Sequence, residues 1–136
     1  MQEIKKLFYT YRNGVVADTL RRFGYPHKVI FGLQVPQIAA IARELRFDTA
    51  TERNVTAEKL WADREVRESR LLACYLFDPQ TITHEKALEL ACDTRSQEES
   101  DMLAFRLLKR LQSPDLLLAR LESANRTAAA LRNHLE

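Results

Sequence analysis

The sequence predicts an all-α fold built from antiparallel helix pairs stacked one on the next. Three observations carry that prediction. Apolar residues recur at helical spacing along nearly the whole chain, no stretch alternates with the period of a strand, and only 3 Gly and 4 Pro punctuate 136 residues. Pairs of helices returning roughly every 30 to 45 residues point to a repeat array in which each pair buries its apolar face on its neighbour. The length suits one core, so residues 1–136 are expected to form a single domain.

Each element follows from its own pattern. Ile4, Leu7, Phe8 and Tyr11 mark one face of a first helix, which Asn13-Gly14 interrupts. Residues 15–23 form its partner, with Val16, Leu20 and Phe23 on one side and Gly24-Tyr25-Pro26 at the end. Pro36 suits the first turn of a third helix whose buried stripe is Ile38, Ile41, Ala42 and Leu45. Residues 47–54 read as a polar connection, after which Thr56 caps a short helix carrying Leu60 and Trp61. Residues 66–77 follow as a longer helix, ended by Asp78-Pro79, that is apolar nearly all round from Leu71 to Phe77 and so is expected at the centre of the core. Thr83 caps a helix bearing Ala87, Leu88 and Ala91, and Ser96-Gln-Glu-Glu99 matches a capping box ahead of the stripe Ala104, Leu107, Leu108 and Leu111. Ser113-Pro114 opens a helix with Leu117, Leu118 and Leu121, and residues 124–135 complete the set.

Charge and composition narrow the function classes. The net charge of +2 hides an uneven distribution: residues 1–46 carry 8 Lys/Arg against 3 Asp/Glu, residues 47–100 carry 7 against 12, and residues 101–136 carry 6 against 4. Basic ends permit an anionic partner without demanding one, since most helical charge is solvated surface. No apolar run reaches the roughly 18 residues that span a bilayer, and the charged start lacks a leader's apolar segment. The expected location is the cytoplasm, with no membrane partner. Cys74 and Cys92 lack metal or disulfide spacing and read as small buried hydrophobes; His27, His84 and His134 read as surface residues, so neither metal nor cofactor is expected.

Two segments carry a resemblance. FGLQVPQIAAIAREL (residues 31–45) followed by EKLWADREVRESRLLACYLFDP (residues 58–79) resembles the DNA alkylation repair family, the AlkD-like HEAT-repeat glycosylases. The matching residues are Gly32, Val35, Pro36, Leu60, Trp61, Glu68, Arg70, Leu71 and Ala73, and the resemblance covers about residues 25–112. It implies HEAT-like antiparallel helix pairs stacked as an α-α superhelix of the ARM-repeat type, with a concave basic face for duplex DNA, and an activity that removes cationic alkylated purines. The matched residues themselves read as structural: Gly32 allows a turn, Pro36 starts a helix, Trp61 welds two helix layers, and Glu68 pairs with a neighbour of Arg70 or caps an adjacent loop.

The catalytic set that the resemblance implies is incomplete. The family's glycosylases carry Ser-Trp-Asp ahead of a catalytic Asp, and a later helical Arg. Here the corresponding stretch reads Thr94-Arg-Ser-Gln-Glu-Glu-Ser-Asp101, so Asp101 alone falls on a catalytic position, polar residues near Gln97 replace the Trp, and neither Arg126 nor Arg132 matches the later Arg. A carboxylate at Asp101 suits stabilisation of the sugar cation that forms as a base departs; the bland reading is an acid favoured by a helix dipole in a first turn. Candidate DNA contacts are Arg64 and Arg67 at the start of the central helix, and Arg106, Lys109 and Arg110 by the i, i+3, i+4 rule, with Glu65, Glu68, Glu98 and Glu99 close enough in sequence to weaken their field. The sequence therefore favours a shortened relative that binds nucleic acid with weak or no base-excision activity. The alternatives are a non-catalytic scaffold for a protein partner and an active alkylpurine DNA glycosylase.

Overall fold

The computed structural model describes residues 2–111. Among them run seven α-helices: α1 (Gln2–Thr10), α2 (Gly14–Arg22), α3 (Val35–Glu44), α4 (Ala50–Ala62), α5 (Arg67–Leu76), α6 (His84–Cys92) and α7 (Gln97–Arg106), followed by a 3-10 turn at Leu108–Arg110. No strand occurs among the described residues, and an isolated parallel bridge joins Val29 to Val66. The described residues are thus all-helical in their regular structure, as their periodicity predicts. It divides into two compact units, Met1–Leu76 and Phe77–Glu136. The helices expected from Ser113-Pro114 and over residues 124–135, with Arg126, Arg132 and His134, lie outside the described residues.

In the first unit α5 packs against α3 and α4. Every residue of α5 except Tyr75 is buried, which its apolar half, Leu71 to Cys74 with Leu76, explains directly. Its first turn is the unexpected part: Arg67, Glu68, Ser69 and Arg70 are all buried, and such groups survive inside a protein only when paired. Arg70 lies over Trp61 with its guanidinium carbon 4.0 Å from the ring centroid, so the aromatic face supplies both packing and attraction for the cation. At the other end of α5, Arg53 donates to the carbonyls of Leu76 (2.7 Å) and Tyr75 (3.0 Å), satisfying acceptors that the helix leaves open.

Arg53 is there because α4 starts earlier than the pattern of apolar residues implies. Thr49, not Thr56, is the N-cap: its hydroxyl accepts from Glu52 N at 3.0 Å, while the Glu52 carboxylate accepts from Asp48 N at 3.3 Å. The first two turns of α4 are polar because they face solvent, so residues 50–54 are helix rather than connection. The expected stripe of α2 is also corrected. Phe23 is 77% exposed and Ala17 is the residue α2 buries, since α2 meets its neighbour through a backbone approach that admits only a small side chain. Similarly, His27 is buried rather than on the surface, and Cys92 is exposed while Cys74 is buried.

In the second unit the capping chemistry falls where the sequence places it. Thr83 accepts from Lys86 N at 3.1 Å to start α6, which buries Ala87, Leu90 and Ala91. Ser96 accepts from Glu99 N at 3.1 Å to start α7, although the Glu99 carboxylate reaches back to Arg95 N (3.0 Å), one residue beyond the expected partner. Leu103, Ala104, Leu107, Leu108 and Leu111 are buried. The α-helical path stops at Leu107 (φ −124, ψ −61), so Leu108 onward continues as a tighter turn.

Two glycines adopt positive φ for different reasons. Gly24 (φ 85) closes α2, where Tyr25 N donates to Leu20 O at 3.3 Å, and a Cβ there would meet open space. Gly32 (φ 87) lies against the start of α2, where a Cβ would come within 2.1 Å of Asn13 O and 2.9 Å of Ala17 N. Gly24→Ala should therefore cost only the left-handed backbone penalty, about 1 to 2 kcal/mol. Gly32→Ala adds a clash with backbone and should cost more than about 4 kcal/mol. Urea unfolding of the two variants checks this; equal losses would contradict the close approach.

Candidate nucleic-acid interface

The sharpest geometry among the described residues surrounds Glu68. Its carboxylate accepts from two consecutive backbone amides across the unit, Phe31 N at 2.9 Å and Gly32 N at 3.1 Å. The Arg67 guanidinium sits 2.6 Å from the same carboxylate and also donates to Leu33 O at 2.9 Å. Val29 N donates to Glu65 O at 2.8 Å and Arg67 N donates to Val29 O at 3.2 Å, while Asn13 N donates to Phe31 O at 2.8 Å. The loop from Val29 to Leu33 is therefore sewn to the first turn of α5 on one side and to the start of α2 on the other. Of the two roles read for Glu68 in the sequence, the structure shows both, and Gly32 has the positive φ of a turn.

This settles the surroundings of Arg67. The guanidinium is buried and committed to Glu68 and Leu33, with the Tyr25 ring 5.9 Å away, so the expectation of an Arg67 phosphate contact is corrected. Arg64 is exposed in the turn between α4 and α5. Helical spacing puts Arg64 and Arg67 on one side, but a loop more than thirty residues earlier in sequence closes over Arg67, and no local pattern reveals that.

The remaining candidates belong to the second unit. Lys109 and Arg110 are exposed and Arg106 is half-buried. Because α7 ends at Arg106 and Leu108–Arg110 is a 3-10 turn, these three cations do not share one continuous α-helical face. Lys109 lies over the exposed Phe105 ring, its nitrogen 4.8 Å from the centroid. Asp101 is half-buried in the second turn of α7, and its Oδ1 accepts from the Gln97 side-chain amide at 2.8 Å. The first-turn acids are instead Glu98 and Glu99. Among the described residues no three His, Cys, Asp or Glu side chains gather as metal ligands, and no helix is long and apolar enough to cross a membrane.

A further feature escapes the spacing rules: a cleft of about 500 Å³ in the first unit, lined by α1, α2 and residues 28–31. Its signal in the sequence is the excess of cations over residues 1–46 interleaved with Tyr9, Tyr11 and Phe23, all exposed.

The regular structure of the described residues is helical throughout. The family model described as DNA alkylation repair enzyme matches residues 4–130, and the chain belongs to that family. No curated protein and no solved structure matches it significantly.

Glu68→Gln would replace one accepting oxygen with an amide nitrogen facing a backbone donor and leave Arg67 buried without its counter-charge. It should lower unfolding stability by about 3 to 5 kcal/mol. A denaturant titration checks this; a loss below about 1 kcal/mol would mean the loop holds without the carboxylate.

Proposed function

We propose that the chain binds duplex DNA and has weak or no base-excision activity, acting over residues 1–136 as a HEAT-like domain of the ARM-repeat type. The observation that carries the reading is the family match across residues 4–130. Contacts to phosphate are assigned within each unit by itself, to Arg106, Lys109 and Arg110 in the second and to Arg64 in the first. Exposed Lys109 and Arg110 favour this, because phosphate contacts supply most of the sequence-independent affinity for duplex.

Low activity is favoured by what surrounds Asp101. Base excision needs a carboxylate facing the developing sugar cation and a surface that holds the departing base. The Asp101 carboxylate is engaged by Gln97 on its own helix, and the chain's one tryptophan, Trp61, is buried beneath Arg70 in the first unit. The segment that leads into Asp101, Thr94 to Ser100, holds no tryptophan to stack beside it.

Titration with plain and alkylated duplex at two salt concentrations tests the binding. Changing Arg106, Lys109 and Arg110 together to Gln should weaken every duplex alike and flatten the salt dependence by about 0.9 in logarithmic slope for each phosphate no longer neutralised. Unchanged binding removes the assignment, and absence of wild-type binding at low salt replaces it with a scaffold for a protein partner. For catalysis, wild type and Asp101→Asn should be alike, with no alkylated purine released above background. Clear release by the wild type that Asp101→Asn abolishes would establish an active glycosylase.

A further inference from the structure

We propose that the cleft between α1 and α2 binds a nucleotide unit, its phosphate held by Arg12, Arg21 and Lys28 and its base laid against Tyr9 and Phe31. The cleft, about 500 Å³, has the size of a small-ligand site rather than a groove for duplex. Three cations converge on it from three places in the chain: Arg12 from the turn after α1, Arg21 from α2 and Lys28 from the following loop. None of the three has a carboxylate partner among the described residues, and no acidic residue lines the cleft. Like charges gathered without a counter-ion beside apolar walls focus a positive field and favour an anion.

The cations are also positioned in advance. Arg12 donates to Tyr9 O at 2.7 Å and stacks on the Tyr9 ring at 4.8 Å. Arg21 donates to Lys28 O at 3.3 Å, which ties α2 to the loop that carries the third cation. Each guanidinium keeps further N–H donors in the planar fork that matches phosphate oxygens. The loop itself is fixed, because Val29 N and Phe31 N are bound to Glu65 and Glu68. A site rigid before binding loses less entropy on binding.

The rest of the lining selects what accompanies the phosphate. Tyr9 and Phe31 meet edge to face at 5.6 Å, and Tyr9 is 60% exposed, so a broad aromatic surface lies beside the cations. A flat base stacks on such a surface whatever its identity. Phosphate plus flat ring is the chemistry shared by a free mononucleotide and a strand-terminal nucleotide.

The test is calorimetric titration of the full chain with adenosine 5′-monophosphate, adenosine, orthophosphate, and a trinucleotide with and without a 5′-phosphate. Adenosine 5′-monophosphate should bind at least about tenfold more tightly than adenosine, with orthophosphate competing. The double variant Arg21→Gln, Lys28→Gln changes exposed side chains and should weaken the monophosphate at least about tenfold while keeping its helical spectrum. Tyr9→Leu should weaken the monophosphate by a larger factor than orthophosphate, because it removes the stacking surface for the base as well as the ring under Arg12. A phosphorylated trinucleotide that binds more tightly than the monophosphate identifies a strand end as the source; the reverse identifies a free nucleotide. Failure of every phosphorylated probe to bind the wild type overturns the proposal, as does binding that is indifferent to the double variant or to Tyr9→Leu. Arg106, Lys109 and Arg110 do not line the cleft, so changing them to Gln should leave monophosphate affinity unaltered.

Discussion

The first unit depends on one carboxylate. Glu68 holds the amides of Phe31 and Gly32 at 2.9 and 3.1 Å, and Arg67 balances its charge from 2.6 Å. A buried ion pair is a poor source of net stability, because desolvating two charges costs about as much as their attraction returns. Its value is geometric. Charged acceptors bind backbone donors strongly and with direction, so the pair fixes where the loop runs rather than merely how tightly the core closes. The start of α3, the packing of α2 on Gly32 and the position of Lys28 all follow from that loop.

The same economy explains the residues that carry the family resemblance. Gly32 admits the backbone of Asn13, Glu68 anchors the loop, and Trp61 lies against Arg70. Gly32 and Glu68 close contacts between elements distant in sequence, Trp61 joins the consecutive helices α4 and α5, and each would leave a buried charge, a clash or a void if changed. They report a shared fold. The roles proposed for Asp101 and the exposed cations rest on other residues than these.

Much of the fold is legible in the sequence because helix caps and apolar spacing act locally. Thr83 and Ser96 cap where the sequence places them, and α5 is buried where Leu71 to Leu76 crowd together. What is not legible has a different cause. The cap at Thr49 carries its own signal, with Glu52 three residues on, but no apolar run follows until Ala57, so periodicity is silent. Arg67, His27 and Phe23 depart from expectation because burial there is decided by elements that local spacing does not contain. The candidate site is affected likewise: a regular i, i+3, i+4 pattern at Arg106, Lys109 and Arg110 assumes a continuous helix, and Leu107 breaks it. The cleft shows in the sequence only as excess charge, since its three cations come together through folding.

The central claim is that the carboxylate makes the loop part of the core. Hydrogen exchange at the Phe31 and Gly32 amides, followed residue by residue against the amides of α5, tests it most directly. Loops generally open at low free energy, whereas groups bound into a core exchange only through larger unfolding. The account predicts that Gly32 exchanges as slowly as Leu72 and loses protection with it as denaturant is added. Exchange of Gly32 at the rate of an exposed loop, while Leu72 stays protected, would contradict it.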